Sequence, residues 1–123
     1  MPIRTIDHVN IATERLEETR AFYVEVLGLI EGYRPPFDFD GYWLYAGDRA
    51  IVHMQTADRP VLPSQASALN HFAFDVDALD PILAELDRRA IPYRAIDVPG
   101  TKIRQAFLQD PNGVRVELNC RPD

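Results

Sequence analysis

Ala68-Leu69-Asn70-His71-Phe72-Ala73-Phe74-Asp75 decides the reading of this chain, because it restarts a pattern already opened by Thr5-Ile6-Asp7-His8-Val9-Asn10-Ile11. Both stretches roughly alternate polar and apolar residues, as a strand does when one face lies on a core. Both carry an early histidine, His8 and His71, 63 positions apart. A second potential donor follows each: His53 lies 45 positions after His8, and Glu117 lies 46 after His71. The two halves therefore read as two copies of one unit. Units related by a pseudo-twofold axis would bring His8, His53, His71 and Glu117 to one point, and three imidazoles with a carboxylate make a divalent-metal site.

Working outward, the first strand is followed by Thr13 as a helix N-cap, with Glu14 and Glu17 where the helix dipole favours anions. Leu16, Phe22, Tyr23, Val26 and Leu27 supply an apolar stripe, and Gly28 is the stop. Strands are expected near 29–33, 42–46 and 50–55, with Gly47-Asp48 turning the last two. Residues 56–67, with two prolines and small polar side chains, read as a linker. After the second opening strand, Asp77 or Asp80 caps a helix with Pro81 in its first turn and Ile82, Leu83, Leu86 and Ala90 as its stripe. Strands near 93–96, 103–108 and 114–119 complete the unit, the last two joined by Asp110-Pro111-Asn112-Gly113. The expected class is α+β. Two βαβββ modules, about 4–55 and 68–120, make one domain over 1–123.

Strand parity supports a shared inner face. Val9 and Ile11 oppose His8 and Asn10, Phe72 and Phe74 oppose His71, and Val116 and Leu118 oppose Glu117 and Arg115. His53 is less clear, since Ile51 shares its face. Trp43, Tyr45, Tyr42 and Phe37 cluster in the first unit and read either as a pocket or as sheet core and dimer contacts. Arg104 and Arg115 read as anchors for an anionic substrate or as solvated strand charges, Arg115 being the better placed.

The totals exclude some partners. A length of 123 residues fits one domain, and 46% hydrophobic with 26% charged residues is ordinary globular composition. A net charge of -6 disfavours nucleic acid and anionic membrane. No run of about 18 apolar residues is present to span a bilayer. The N-terminus lacks the shape of a signal peptide, and with Cys120 as the only cysteine there is no disulfide framework, so a cytoplasmic setting is expected. Cys120 itself reads as a packing residue.

At Asp7-His8-Val9, Ala21-Phe22-Tyr23, Val26-Leu27-Gly28-Leu29, Asn70-His71-Phe72-Ala73-Phe74, Asp110-Pro111-Asn112-Gly113 and Val116-Glu117-Leu118 the chain resembles the vicinal oxygen chelate superfamily. That group includes glyoxalase I, fosfomycin-resistance proteins, methylmalonyl-CoA epimerase, extradiol dioxygenases and bleomycin-resistance proteins. The resemblance implies paired βαβββ modules forming a half-barrel-like mixed sheet, the glyoxalase/dioxygenase fold, and ligand roles for His8, His71 and Glu117. His53 departs from it. Glyoxalase I and the epimerase usually offer Glu or Gln there, and the dioxygenases and fosfomycin proteins resemble a His, His and Glu site alone.

Three functions follow as expectations. With all four donors on one divalent ion (Fe, Ni, Zn, Mn or Co), two coordination positions remain for a small bidentate oxygen substrate. Chelation would stabilise an enolate-type intermediate, and by resemblance to glyoxalase I Glu117 would abstract a proton: a lyase or isomerase. With His53 off the metal as an acid–base group, the remaining triad suits an extradiol Fe(II) dioxygenase, although the well-known extradiol enzymes resemble four modules rather than two. The third is a resistance-type protein that sequesters a small molecule, with Tyr45, Trp43, Arg115, Arg104 and Asn10 as pocket residues. A homodimer is expected, because each open sheet invites a partner.

Overall fold

Apolar residues spaced two apart build the sheets, and those spaced three and four apart build the helices that cover them. A computed structural model describes residues 2–122. Strand β1 (Val9–Thr13) leads into helix α1 (Leu16–Ala21), whose last turn widens over Phe22–Val26 with Leu27 N–H bonded to the Phe22 carbonyl. Strands β2 (Ile30–Gly32), β3 (Gly41–Ala46) and β4 (Arg49–Thr56) follow. After a short 3-10 turn at Ser64–Ala66 come β5 (His71–Asp75), α2 (Asp80–Arg88), β6 (Arg94–Asp97), β7 (Arg104–Gln109) and β8 (Arg115–Cys120).

The chain divides into two compact units between Val61 and Leu62. The first holds a four-stranded mixed sheet ordered β1-β4-β3-β2, and the second repeats it as β5-β8-β7-β6. In each, the first and last strands pair in parallel and the others antiparallel. The expected order of strand, helix and three strands is observed in both, and neither sheet closes on itself.

One face of each sheet is core. In the first unit, Ile11, Leu44, Val52 and Met54 are buried together with Phe22, Tyr23, Val26 and Leu29. In the second, Ala106, Leu108, Val116 and Leu118 share the core with Leu79, Leu83 and Leu86. The strands alternate, so the opposite face of each sheet is left to polar and aromatic side chains.

The helix starts differ from the sequence reading. Thr13 is the last residue of β1, and its buried hydroxyl accepts from the Arg15 amide at 2.8 Å rather than capping from a cap position. Only Glu17 and Glu18 occupy the first turn. In α2, Asp80 is the first helical residue and makes no cap bond. It binds Arg104 instead.

The two helix ends form a natural experiment. The first ends at Gly28 with φ 85, but its counterpart is Ala90 with φ 57. Ile91 N–H bonds the Leu86 carbonyl and Ala90 N–H the Asp87 carbonyl, so the chain reverses through a Schellman turn whose left-handed residue carries a Cβ. Ala90 therefore lies beyond the helix and is exposed, rather than completing its apolar stripe. Ala90→Gly is expected to stabilise the protein by about 1 kcal/mol. An unchanged or lowered denaturation midpoint would contradict this.

Candidate metal and substrate site

Two of the three histidines expected to bind metal, His8 and His71, are each held by the residue just before them. His8 precedes β1, and its Nδ1 lies 2.7 Å from Asp7 Oδ2. His71 opens β5, and its Nδ1 lies 2.8 Å from Asn70 Oδ1. Carboxylate and amide oxygens only accept, so both rings carry the proton on Nδ1 and leave the Nε2 lone pair for another partner. The bond to His8 also holds the Asp7 carboxyl below the usual range. Asp7 and Asn70 are 63 positions apart, like the histidines they orient. That shared offset was a signal the sequence reading did not use.

In the second unit the partner of His71 is visible. Its Nε2 faces Glu117 Oε1 at 3.3 Å, on the sheet face opposite Val116 and Leu118. Glu117 is only 14% exposed, and Gln105 Nε2 donates to its other oxygen at 3.2 Å and to Asn119 Oδ1 at 3.0 Å. With Nδ1 turned to Asn70, the His71 ring presents Nε2 to the Glu117 carboxyl. Such a pair needs a proton or a cation between its atoms. Arg115 lies beside it, its guanidinium 4.5 Å from the Phe107 ring centre and 3.4 Å from Asn70 Oδ1.

The first unit arranges its histidines otherwise. His53 pairs with Asn10 on one side and Trp43 on the other. Its ring lies flat between two others, 3.7 Å from His8 and 3.9 Å from Trp43 with interplanar angles of 13° and 11°. Its Nε2 donates to the Ala50 carbonyl at 3.1 Å. Lone pairs of an imidazole lie in the ring plane, so face-to-face stacking does not aim His8 and His53 at one ion. Burial, reinforced by nearby His8, pushes the His53 imidazole below its ordinary range and keeps it neutral.

Among the described residues no three His, Cys, Asp or Glu side chains gather as a metal cluster. The four expected donors stand as two pairs, one in each unit. Within the second unit the donor chemistry of His71 and Glu117 suits a divalent metal, and in the first unit His8 carries the matching Nδ1 anchor. At His53 the donor chemistry does not fit.

Two cavities flank the Trp43–His53–His8 stack. One of about 580 Å³ is lined by these rings with Asp7, Tyr45, Asp48, Arg49 and Ala50. The other, about 200 Å³, adds Asn10, Gln55, Arg34, Phe37 and Phe39. Trp43 lines both cavities, Tyr45 the larger and Asn10 the smaller. Tyr42 does not: it lies on the helix side, its hydroxyl donating to Glu17 at 2.5 Å. Arg104 also faces away from Glu117. It shares parity with buried Ala106 and Leu108 and pairs with Asp80 at 3.0 Å and Asp97 at 3.9 Å. The sequence reading missed Arg34, which sits in an irregular loop where no periodicity fixes direction. Cys120 ends β8 with its Sγ 3.5 Å from the Asp77 carbonyl. No helix among the described residues is long and apolar enough to cross a membrane.

Comparison with known proteins agrees with the fold. The chain is 29% identical to Glyoxylase I 4 of Arabidopsis thaliana over 96% of its own length and 72% of that protein's. It is 31% identical to the uncharacterised protein YaeR of Escherichia coli K12, covering 94% and 95% of the two chains. The crystal structure of a glyoxalase family protein from Bacillus anthracis superimposes with a TM-score of 0.82 at 27% identity, over 98% and 97%. A family model spans residues 5–118, and the chain belongs to the Glyoxalase/Bleomycin resistance protein/Dioxygenase superfamily.

Proposed function

We propose that this chain is a divalent-metal-dependent enzyme whose metal donors are His8, His71 and Glu117 and whose substrate is a small molecule with two neighbouring oxygens. The observation that carries the reading is the approach of His71 Nε2 to Glu117 Oε1, 3.3 Å apart, with His71 Nδ1 turned to Asn70. His8, anchored in the same way, supplies the third donor. When bound, a divalent ion offers Lewis-acid stabilisation of an enolate or alkoxide as it forms.

The protein groups have separable tasks. Asp7 and Asn70 fix ring orientation, and Gln105 fixes Glu117 through Oε2. His53, neutral and with its proton held on Nε2, keeps a lone pair on Nδ1 as a proton acceptor. The reaction class is lyase or isomerase chemistry on an α-hydroxycarbonyl or hemithioacetal, supported by the likeness to Glyoxylase I 4. The withdrawal of His53 favours a second reading. A two-histidine, one-carboxylate donor set leaves room at ferrous iron for a diol and dioxygen. A homodimer in the cytoplasm belongs to the same proposal.

His53→Ala is expected to keep the metal, with affinity changed by less than about tenfold, while turnover falls by roughly 100-fold or more. Elemental analysis of untagged protein, paired with assays on hemithioacetals and on catechols under oxygen, checks both halves. Loss of metal from this variant would make His53 a ligand and restore the four-donor site. Iron with oxygen uptake on catechols would select the second reading.

A further inference from the structure

The smaller cavity of the first unit differs from its neighbour in charge. Asp7 and Asp48 reach the larger cavity, but no carboxylate lines the smaller one, although the chain carries a net charge of -6. Its one cation is Arg34. The guanidinium carbon lies 5.0 Å from the centres of both the Phe37 and Phe39 rings. Arg34 Nε is buried with no hydrogen-bond partner, and no carboxylate among the described residues pairs with this side chain. A buried guanidinium nitrogen without an acceptor is costly, and an arginine stacked on aromatic rings presents its fork for a planar anion.

The rest of the lining is suited to a ring. Phe37 and Phe39 stack at 5.2 Å and remain 46% and 43% exposed, an apolar surface the fold itself does not cover. Trp43 stands 6.3 Å from Phe37. On β1 and β4, Asn10 Nδ2 donates to Gln55 Oε1 at 3.0 Å, so the amide groups satisfy each other while Gln55 keeps donors to spare. The volume, about 200 Å³, is below the roughly 300–1,000 Å³ that holds drug-sized ligands, so it suits a single ring.

We propose that this cavity is a subsite for a small aromatic carboxylate, its anionic group on Arg34 and its ring among Phe37, Phe39 and Trp43. The assignment deepens the function proposed above, resting on the first unit's inner face being the substrate-binding face, and it names the substrate class. It requires no metal, which allows the two proposals to fail separately.

Trp43 is the only tryptophan and lines the cavity, so its fluorescence reports occupancy directly. Chelator-treated full-length protein is titrated with benzoate, with benzyl alcohol as the neutral ring and acetate as the ringless anion. Saturable benzoate binding is expected, with both controls weaker. Arg34→Met should weaken benzoate by roughly 10- to 100-fold, with Arg34→Lys between it and the parent. The lysine variant carries the test if the methionine variant does not fold. Equal affinity for benzoate and benzyl alcohol would overturn the subsite. So would affinity unchanged in both Arg34 variants, or no saturable response in the parent. Benzoate binding that appears only after adding Zn²⁺ and survives Arg34→Met would place the carboxylate on the metal and also overturn it. Metal content of the Arg34 variants, measured separately, is expected to match the parent. Absence of metal from the reconstituted parent protein, with its benzoate binding intact, would count against the metal proposal alone.

Discussion

Alanine at His71 or Glu117 is expected to remove most metal affinity, by more than about 100-fold, since even residues that only orient metal ligands cost 10- to 100-fold when lost. In the second unit these two side chains are the converging pair, and each change leaves one donor facing space the other had filled. Glu117→Gln keeps the shape and the bond to Gln105 but removes the charge, so it separates packing from ligation. Asn70→Ala is expected to fall in the 10- to 100-fold range by freeing His71 to take the wrong tautomer. Metal titration followed by elemental analysis reads all four variants. Full metal content in either alanine variant would remove these residues from the donor set.

The largest expected loss of stability comes from Gly41→Ala. Gly41 opens β3 opposite Gln55 on β4, and a Cβ built there would lie 2.2 Å from the Met54 carbonyl oxygen and 2.8 Å from Arg34 Nη2. The arginine tip can move, but the carbonyl belongs to the sheet and cannot. The strands must part where Met54 is buried to 1% exposure, at a cost of about 2–3 kcal/mol. Gly32→Ala is the control, because its Cβ would meet only the Tyr45 ring at 2.8 Å, a side chain able to yield. Denaturant midpoints for the two variants should differ clearly. Equal midpoints would mean that β3 and β4 do not approach as described.

Strand content and pairing were legible because alternation and duplication reinforce each other. Val9 and Phe72, Val52 and Val116, and Trp43 and Phe107 each recur at offsets of 63 or 64 and occupy matching register positions. The helix starts were less legible. Thr13 has the chemistry of a cap, but its position inside β1 directs its hydroxyl to Arg15. Parity left His53 less clear; the structure sets it opposite buried Val52 and Met54, but parity gives only a side of the sheet. The ring's stacking against Trp43 and its bond to Ala50 are set by side-chain torsions that no spacing encodes. Arg104 shows the same limit, since Asp80 lies 24 positions away and their pairing depends on the turn between strand and helix.

The parallel pairing of β1 with β4, and of β5 with β8, also has a kinetic meaning. A parallel pair joins strands distant in the chain, so its formation closes the longest loop of each module. His71 leaves the ribosome 46 residues before Glu117, and until β8 docks beside β5 the second unit has an imidazole but no carboxylate to oppose it. The opposed pair thus exists only in a finished module, and a nascent or clipped chain ending before residue 115 lacks it.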